Sequence, residues 1–315
     1  KILTTAILCA GLVGFTACDS FLDEDPKSSL TLDTYYKTSA DIIGNVNYLY
    51  RDGAPDKMGN MTGAYRGSSL SVMNMVTGYF VNEYEGQEVD CSYARQLTRQ
   101  DFTQSCCNYL TNDTWKSCYK SINVANAVIK YVDGVEMDNQ AQYKAEARFF
   151  RALNYFYLVK MLGDVPMVTE PTEDATLVEY PTRTAASEVF NTVIIPDLQF
   201  AVENLPNATF AGNSHRVTKY AADMLLADVY MRLGEYANAV TPLKDVINSG
   251  KFALATNDNL AEGSAFNKLR TTDDLPEVCT AVLDTVYLTG AGFLLEHNDF
   301  PPFCVNRFPL FLTPE

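Results

Sequence analysis

Histidine is nearly missing from this chain of 315 residues, which carries only His215 and His297. Both stand far from any cysteine pair, and the adjacent Cys106 and Cys107 have no CxxC companion, so the spacing rules argue against a structural zinc site. Catalytic signatures are missing as well. There is no GxSxG elbow, HExxH pair or P-loop, and Gly290-Ala291-Gly292 lacks the third glycine and the preceding strand of a dinucleotide site. No metal, cofactor or catalytic residue is therefore assigned, and the chain does not read as an enzyme. Positive charge is scarce too. Against 39 Asp and Glu there are 24 Lys and Arg, a net charge of −15, and a phosphate backbone would be repelled by most of such a surface. Nucleic acid is excluded as a partner. Eight cysteines are too dilute to act as a disulfide framework for a chain of this length. The apolar run in the first fifteen residues is too short to span a bilayer, and no other stretch is long and apolar enough.

What the sequence does have is apolar bulk and flat rings. Hydrophobic residues make up 47% and aromatics 12%, with 19 Tyr and 17 Phe beside a single Trp. That supports a sizeable core and leaves rings for stacking on sugars or peptides. The carboxylates could be imagined in a glycosidase-like pair, but no spacing singles two of them out, so they read as a solvated surface.

The chain opens with Lys1, runs uncharged from Ile2 to Phe15, and reaches Thr16-Ala17-Cys18 before Asp19, Asp23, Glu24 and Asp25. A cation, a short apolar stretch and small residues form the pattern of a signal peptide. Residues 1–17 are expected to be removed.

Periodicity then locates helices. Ile42, Ile43, Val46, Leu49 and Tyr50 predict a helix over 39–51, with Ser39 as its cap. Residues 53–110 lose the period among many glycines and read as loops with short helices. Trp115, Tyr119, Ile122, Ala125, Ile129 and Val132 mark a helix beginning near Asn112, capped by Asn112 or Thr111. A second helix follows over 139–162, with Gly163-Asp164-Val165-Pro166 as its stop. The short link between the two predicts an antiparallel pair. Residues 185–204 form another helix, in which Pro196 should force a kink.

Residues 218–249 read as a helical hairpin broken at Gly234. Ala222, Leu225, Leu226, Val229 and Tyr230 form one apolar face, and Tyr236, Ala239, Val240, Leu243 and Ile247 a second. Its Leu226, Tyr230, Gly234, Tyr236 and Ala239 resemble a tetratricopeptide repeat. Pro242 fits the second helix only near its first turns. Residues 251–254 suggest a brief extended piece. The phenylalanines and prolines of 293–315 support neither helix nor strand.

Together these pieces resemble one family, the SusD/RagB outer-membrane nutrient-binding lipoproteins of Bacteroidetes. The resemblance is carried by Cys18 with Phe21-Leu22-Asp23, by WKSCYKSINVANAVI at 115–129, by AEARFFRALNYFYLVKMLGDVP at 145–166, and by TKYAADMLLADVYMRLGEYANAVTPLKDVINSGKFAL at 218–254. Gly14-Phe15-Thr16-Ala17-Cys18 resembles a lipobox, with Phe15 standing where Leu is usual. The alternative is an ordinary secretory signal in which Cys18 is incidental.

The resemblance implies an all-α fold of tetratricopeptide-like helix pairs with irregular loops. A helical domain would span 18–285, with hairpins at about 112–162 and 218–249, followed at 286–315 by an irregular or truncated segment. It further implies a palmitate-type lipid on Cys18, an outer-membrane location facing the exterior, and binding without cleavage. The ligand would be an oligosaccharide or peptide, handed to a SusC-like TonB-dependent transporter. The alternative from another class is a helical-repeat scaffold that binds only protein partners.

Among individual residues, Trp115 and Cys118 read as core rather than as a sugar platform or a thiol site. Glu146, Arg148 and Arg151 read as buried or half-buried ion pairs. Ligand contacts are expected from the loops at 60–95, where Tyr65, Arg66, Tyr79 and Tyr84 could stack on sugar faces or donate hydrogen bonds.

Overall fold

The computed structural model describes residues 32–52, 99–100, 115–172 and 181–254. The chain divides into two compact units, Lys1–Tyr35 and Tyr36–Glu315. Of the first unit, the described part is the short helix α1 (Leu32–Tyr35). The second unit carries α2 (Ser39–Asp52), α3 (Lys116–Tyr131), α4 (Gln140–Leu162), α5 (Ala186–Val189), α6 (Ile195–Asn204), α7 (Lys219–Arg232) and α8 (Tyr236–Asn248). Among the described residues the sole β feature is one antiparallel bridge between Val165 and Thr184, so the all-α expectation holds.

Within the second unit each helix packs on the next. α2 lies on α3 and α4, α3 on α4, α4 on α6, α6 on α7, and α7 on α8. This is the neighbour-to-neighbour packing of stacked helix pairs.

α2 starts because Thr38 and Asp41 cap it reciprocally. The Thr38 N–H donates to Asp41 Oδ2 at 2.8 Å, and the Asp41 N–H points back to Thr38 Oγ1 at 3.4 Å. The Thr38 hydroxyl, which also donates to Asp41 Oδ2 at 2.7 Å, and then the Thr38 N–H hold the Asp41 carboxyl below its usual range. The cap is therefore Thr38, one residue before the Ser39 that the pattern suggested. Ile42, Val46 and Leu49 are fully buried along one stripe, each contributing roughly 1.5–3 kcal/mol by leaving water.

In α3 the buried line runs through Cys118, Ile122, Ala125 and Val128 to Val132. Trp115, Tyr119 and Ile129 flank it, half-buried. Trp115 tilts against Tyr119 with ring centroids 4.8 Å apart, so it belongs to the packed edge of the bundle. The proposed caps Thr111 and Asn112 lie outside the described residues.

α4 is buried on nearly every side. Ala145, Phe149, Ala152, Tyr155, Phe156 and Leu158 point inward, but so do Glu146, Arg151 and Asn154. A helix surrounded in this way is the centre of its bundle. Gly163 ends it at φ +73° and ψ −126°, a conformation that a side chain would strain.

Pro196 acts differently from a simple kink. The helix that begins at Ala186 widens into a π-helical stretch, Phe190–Ile194, in which the Ile195 N–H bonds to the Phe190 carbonyl. α6 starts immediately after, with Pro196 in its first turn. The ring has no N–H to give and would clash with the carbonyl four residues back. The wider turn absorbs both problems.

The α7–α8 hairpin turns at Gly234, φ +76°, with the Glu235 N–H bonded to the Tyr230 carbonyl at 2.8 Å. α7 buries Tyr220, Ala221, Ala222, Leu225, Leu226 and Val229. The face of α8 turned to α7 is Ala239, Pro242 and Val246. This corrects the expected face: Tyr236, Val240 and Ile247 are 69%, 43% and 53% exposed. They lie about one residue's rotation, 100°, away from the contacting stripe. Pro242 is the seventh residue of α8, deeper than expected, and its ring packs in the buried stripe. Residues 251–254 form no strand, and Phe252 instead packs edge-on against Tyr220 with centroids 5.2 Å apart.

Candidate functional site: a clamped segment after the central helix

The residues singled out from sequence for ligand contact, Tyr65, Arg66, Tyr79 and Tyr84, lie outside the described residues, as does the lipidation candidate Cys18. What the structure describes is the frame on which a binding face would be mounted. Its most constrained irregular part is the segment that leaves α4 at Gly163 and runs to Thr172.

Side chains of α3 and α4 hold this segment by its main chain. The Tyr119 hydroxyl donates to the Pro166 carbonyl at 2.6 Å. The Tyr155 hydroxyl donates to the Val168 carbonyl at 2.8 Å and accepts from the Val168 N–H at 2.7 Å. Asn126 Nδ2 donates to the carbonyls of Val168 at 3.0 Å and Glu170 at 3.2 Å. The Thr172 N–H donates to Asn123 Oδ1 at 2.7 Å. Burial pushes the Tyr155 phenol up to about 12, and burial raises Tyr119 further still. Both hydroxyls therefore keep their protons and donate at any ordinary pH.

Behind the clamp sits a buried charge pair. Arg151 Nε and Nη2 donate to the two oxygens of Asp197 at 2.7 and 2.9 Å, while its Nη1 donates to Asn126 Oδ1 at 2.9 Å. One guanidinium thus fixes the amide orientation that Asn126 needs to hold the segment. Arg148 lies 3.8 Å from Asp197, over the ring of Phe200 at 4.2 Å. Burial raises the Asp197 carboxyl above its usual range despite both arginines. Desolvation here outweighs attraction, as it often does for buried pairs.

A second node ties the loop before α7 to the frame. Arg216 Nε donates to both oxygens of the fully buried Glu146 at 3.1 Å, and its Nη1 donates to Asn47 Oδ1 at 2.8 Å. The guanidinium stacks over Tyr50, 4.6 Å from the ring centre. The Val217 N–H donates to the Tyr50 hydroxyl at 3.0 Å. Burial alone would lower the Arg216 pKa, but the hydrogen bonds and charge of Glu146 win and raise it. Burial also raises the Tyr50 phenol strongly, helped by Glu146.

Chemically, these carboxylates are occupied. Glu146 and Asp197 each take a guanidinium on both oxygens; ion pairing was expected from the sequence for Glu146, Arg148 and Arg151, although Glu146 pairs with Arg216 rather than with its neighbours. Among the described residues, no group of three or more His, Cys, Asp and Glu side chains is placed to hold a metal ion. No described helix is long and apolar enough to cross a membrane. The network is one of support. Sequence reasoning missed Asn126 and Asp197, because a polar residue inside an apolar stripe looks the same whether it is paired or solvated, and Arg216, because it stands in a loop seventy residues from its partner Glu146.

Residues 20–231 match the model of a SusD-like family described as starch-binding and associating with the outer membrane. The chain belongs to this SusD-like family. A SusD-like protein of Formosa agariphila is 28% identical over 249 residues, which are 78% of this chain and 46% of that protein. A SusD-like protein of Bacteroides ovatus is 29% identical over 76% of this chain and 40% of its own. The chain thus spans about half the length of the curated relatives it matches. Among solved structures, a SusD superfamily protein from Parabacteroides distasonis superposes with a TM-score of 0.61 at 24% identity, covering 76% of this chain and 50% of that one. A laminarin-binding SusD-like protein gives 0.64 at 22%, covering 78% and 51%. These shared shapes establish the SusD-like helical fold.

Proposed function

We propose that this chain is part of a lipid-anchored outer-membrane protein that captures nutrient oligosaccharides at the cell exterior and passes them to a SusC-like TonB-dependent transporter. The observation that carries the reading is the family match over residues 20–231. Two solved structures of the same fold support a glycan as the ligand. One is the laminarin-binding protein, and the other contains a xylogluco-oligosaccharide at a TM-score of 0.58 and 22% identity. The role is binding rather than catalysis, consistent with Glu146 and Asp197 of the described core being committed to arginines.

In this reading Cys18 carries the lipid, whose acyl chains would each contribute about 0.8 kcal/mol per buried methylene. Tyr65, Arg66, Tyr79 and Tyr84 supply ligand contacts. The helical frame, with its segment 163–172 held in place, supplies rigidity that lowers the entropy cost of binding.

Affinity electrophoresis and calorimetry of the purified chain against starch, laminarin, xyloglucan oligosaccharides and a peptide panel test this. Retardation by a glycan that is weakened in Tyr65→Ala, Tyr79→Ala or Tyr84→Ala supports the reading. Peptide binding alone, or no ligand for the chain either free or with its transporter, overturns it and favours a scaffold for protein partners.

A further inference from the structure

The α7–α8 hairpin holds three charges where two would balance. Lys219, in the first turn of α7, hydrogen-bonds the Asp245 carboxylate of α8. The same ammonium lies 3.9 Å from Asp223 Oδ2, one turn further along α7. Asp223 is 2% exposed, and its Oδ2 is buried with no hydrogen-bond donor. A lone cation already committed to Asp245 cannot also neutralise a second carboxylate sealed between helices. A buried acceptor without a donor costs about 1–3 kcal/mol, and more when it is charged.

We infer that a proton on Asp223 latches α8 onto α7, and that its loss loosens the hairpin. Protonated, the carboxyl becomes a donor facing the Asp245 carboxylate, so the orphan oxygen gains a partner and the excess negative charge disappears. Deprotonated, two carboxylates compete for Lys219 across the helix interface. The charges acting on Asp223 come from Lys219 on its own helix and from Asp245 on α8. α4 and α6, which also pack on α7, contribute none among the described residues. Burial, assisted by Asp245 and opposed by Lys219, pushes the Asp223 carboxyl up to about 7.

The sign follows from linkage. A carboxyl with a raised value in the docked state binds its proton more tightly there than in the opened state, where it reverts to 3.8. Docking is therefore strongest at low pH, weakens as pH rises from about 4 to about 7, and levels off above that. Through this window the opening constant rises by up to tenfold per pH unit.

Amide hydrogen exchange of the full chain, read over residues 236–248 from pH 5 to 8.5 and corrected for intrinsic rates, tests the latch. The expected result is protection of α8 that falls up to tenfold between pH 5 and 6 and again between 6 and 7, then flattens, while α4 shows no such step. Asp223→Asn should hold α8 protection flat with pH. Asp245→Asn should move the step to lower pH, because the competing negative charge is gone. An unchanged slope in Asp223→Asn, or no pH step in the native chain, overturns the inference. If the variants do not fold, carboxyl-carbon NMR of the native chain decides instead: an aspartate midpoint near neutrality supports the latch, and ordinary midpoints throughout refute it.

Discussion

Removing the charge of Asp197 is the sharpest test of how the core is built. Asp197 is 2% exposed and accepts both donor arms of Arg151. Asp197→Asn keeps the shape and one acceptor oxygen but turns the other into a donor facing Arg151, so the buried guanidinium is left with neutral partners and no countercharge, and it strips Arg148 of its nearby carboxylate as well. Breaking one side of a buried pair costs about 3–5 kcal/mol, which at this chain length lowers Tm by roughly 2–4 °C for each kcal/mol. The intact pair is a different matter. Burial wins over both arginines in setting the Asp197 carboxyl, so attraction to the arginines does not outweigh the carboxylate's loss of water. Arg151→Met with Asp197→Leu should therefore cost less than Asp197→Asn alone, the residue being mainly the loss at Asn126 of about 1 kcal/mol. Urea unfolding followed by the fluorescence of the single Trp115 and by far-ultraviolet circular dichroism measures this, provided the two transitions coincide. A loss below about 1 kcal/mol for Asp197→Asn, or a double variant that costs as much as Asp197→Asn alone, would refute the argument.

Other outcomes follow from the same geometry. Tyr155→Phe removes both hydrogen bonds to Val168 and should cost about 1–3 kcal/mol, with faster amide exchange at Val168 and unchanged exchange in α7. Arg216→Lys keeps the charge but loses the fork on Glu146, the bond to Asn47 and the stack on Tyr50, so a destabilisation of about 1–3 kcal/mol is expected in urea. Gly163→Ala finds open space around its new methyl but must hold φ +73°. It should therefore lose about 1–3 kcal/mol through backbone strain alone, and a neutral result would mean that the segment has re-formed its turn.

Helix positions were legible because the signals that set them are local. The spacing of Ile42, Val46 and Leu49, the stop at Gly163 and the break at Gly234 each act within one or two turns. Pairings between helices were not legible. Nothing near Glu146 names Arg216, seventy residues on, and nothing near Arg151 names Asp197. The second face of α8 was misjudged because Tyr236, Val240 and Ile247 are as apolar as a core stripe. Ala239 was read correctly, but only the position of α7 shows that Pro242 and Val246 join it on the side that meets α7. Of the candidate contact residues, the chemistry of tyrosine and arginine was readable. Their placement lies outside the described residues.

The clamp on residues 166–170 has one more implication. Tyr119, Tyr155 and Asn126 grip peptide groups and none of the side chains that those peptides carry. Thr169 and Glu170, which face solvent, can consequently be exchanged for other residues while every bond of the grip survives. Such a frame lets the outer face be rewritten without renegotiating the interior.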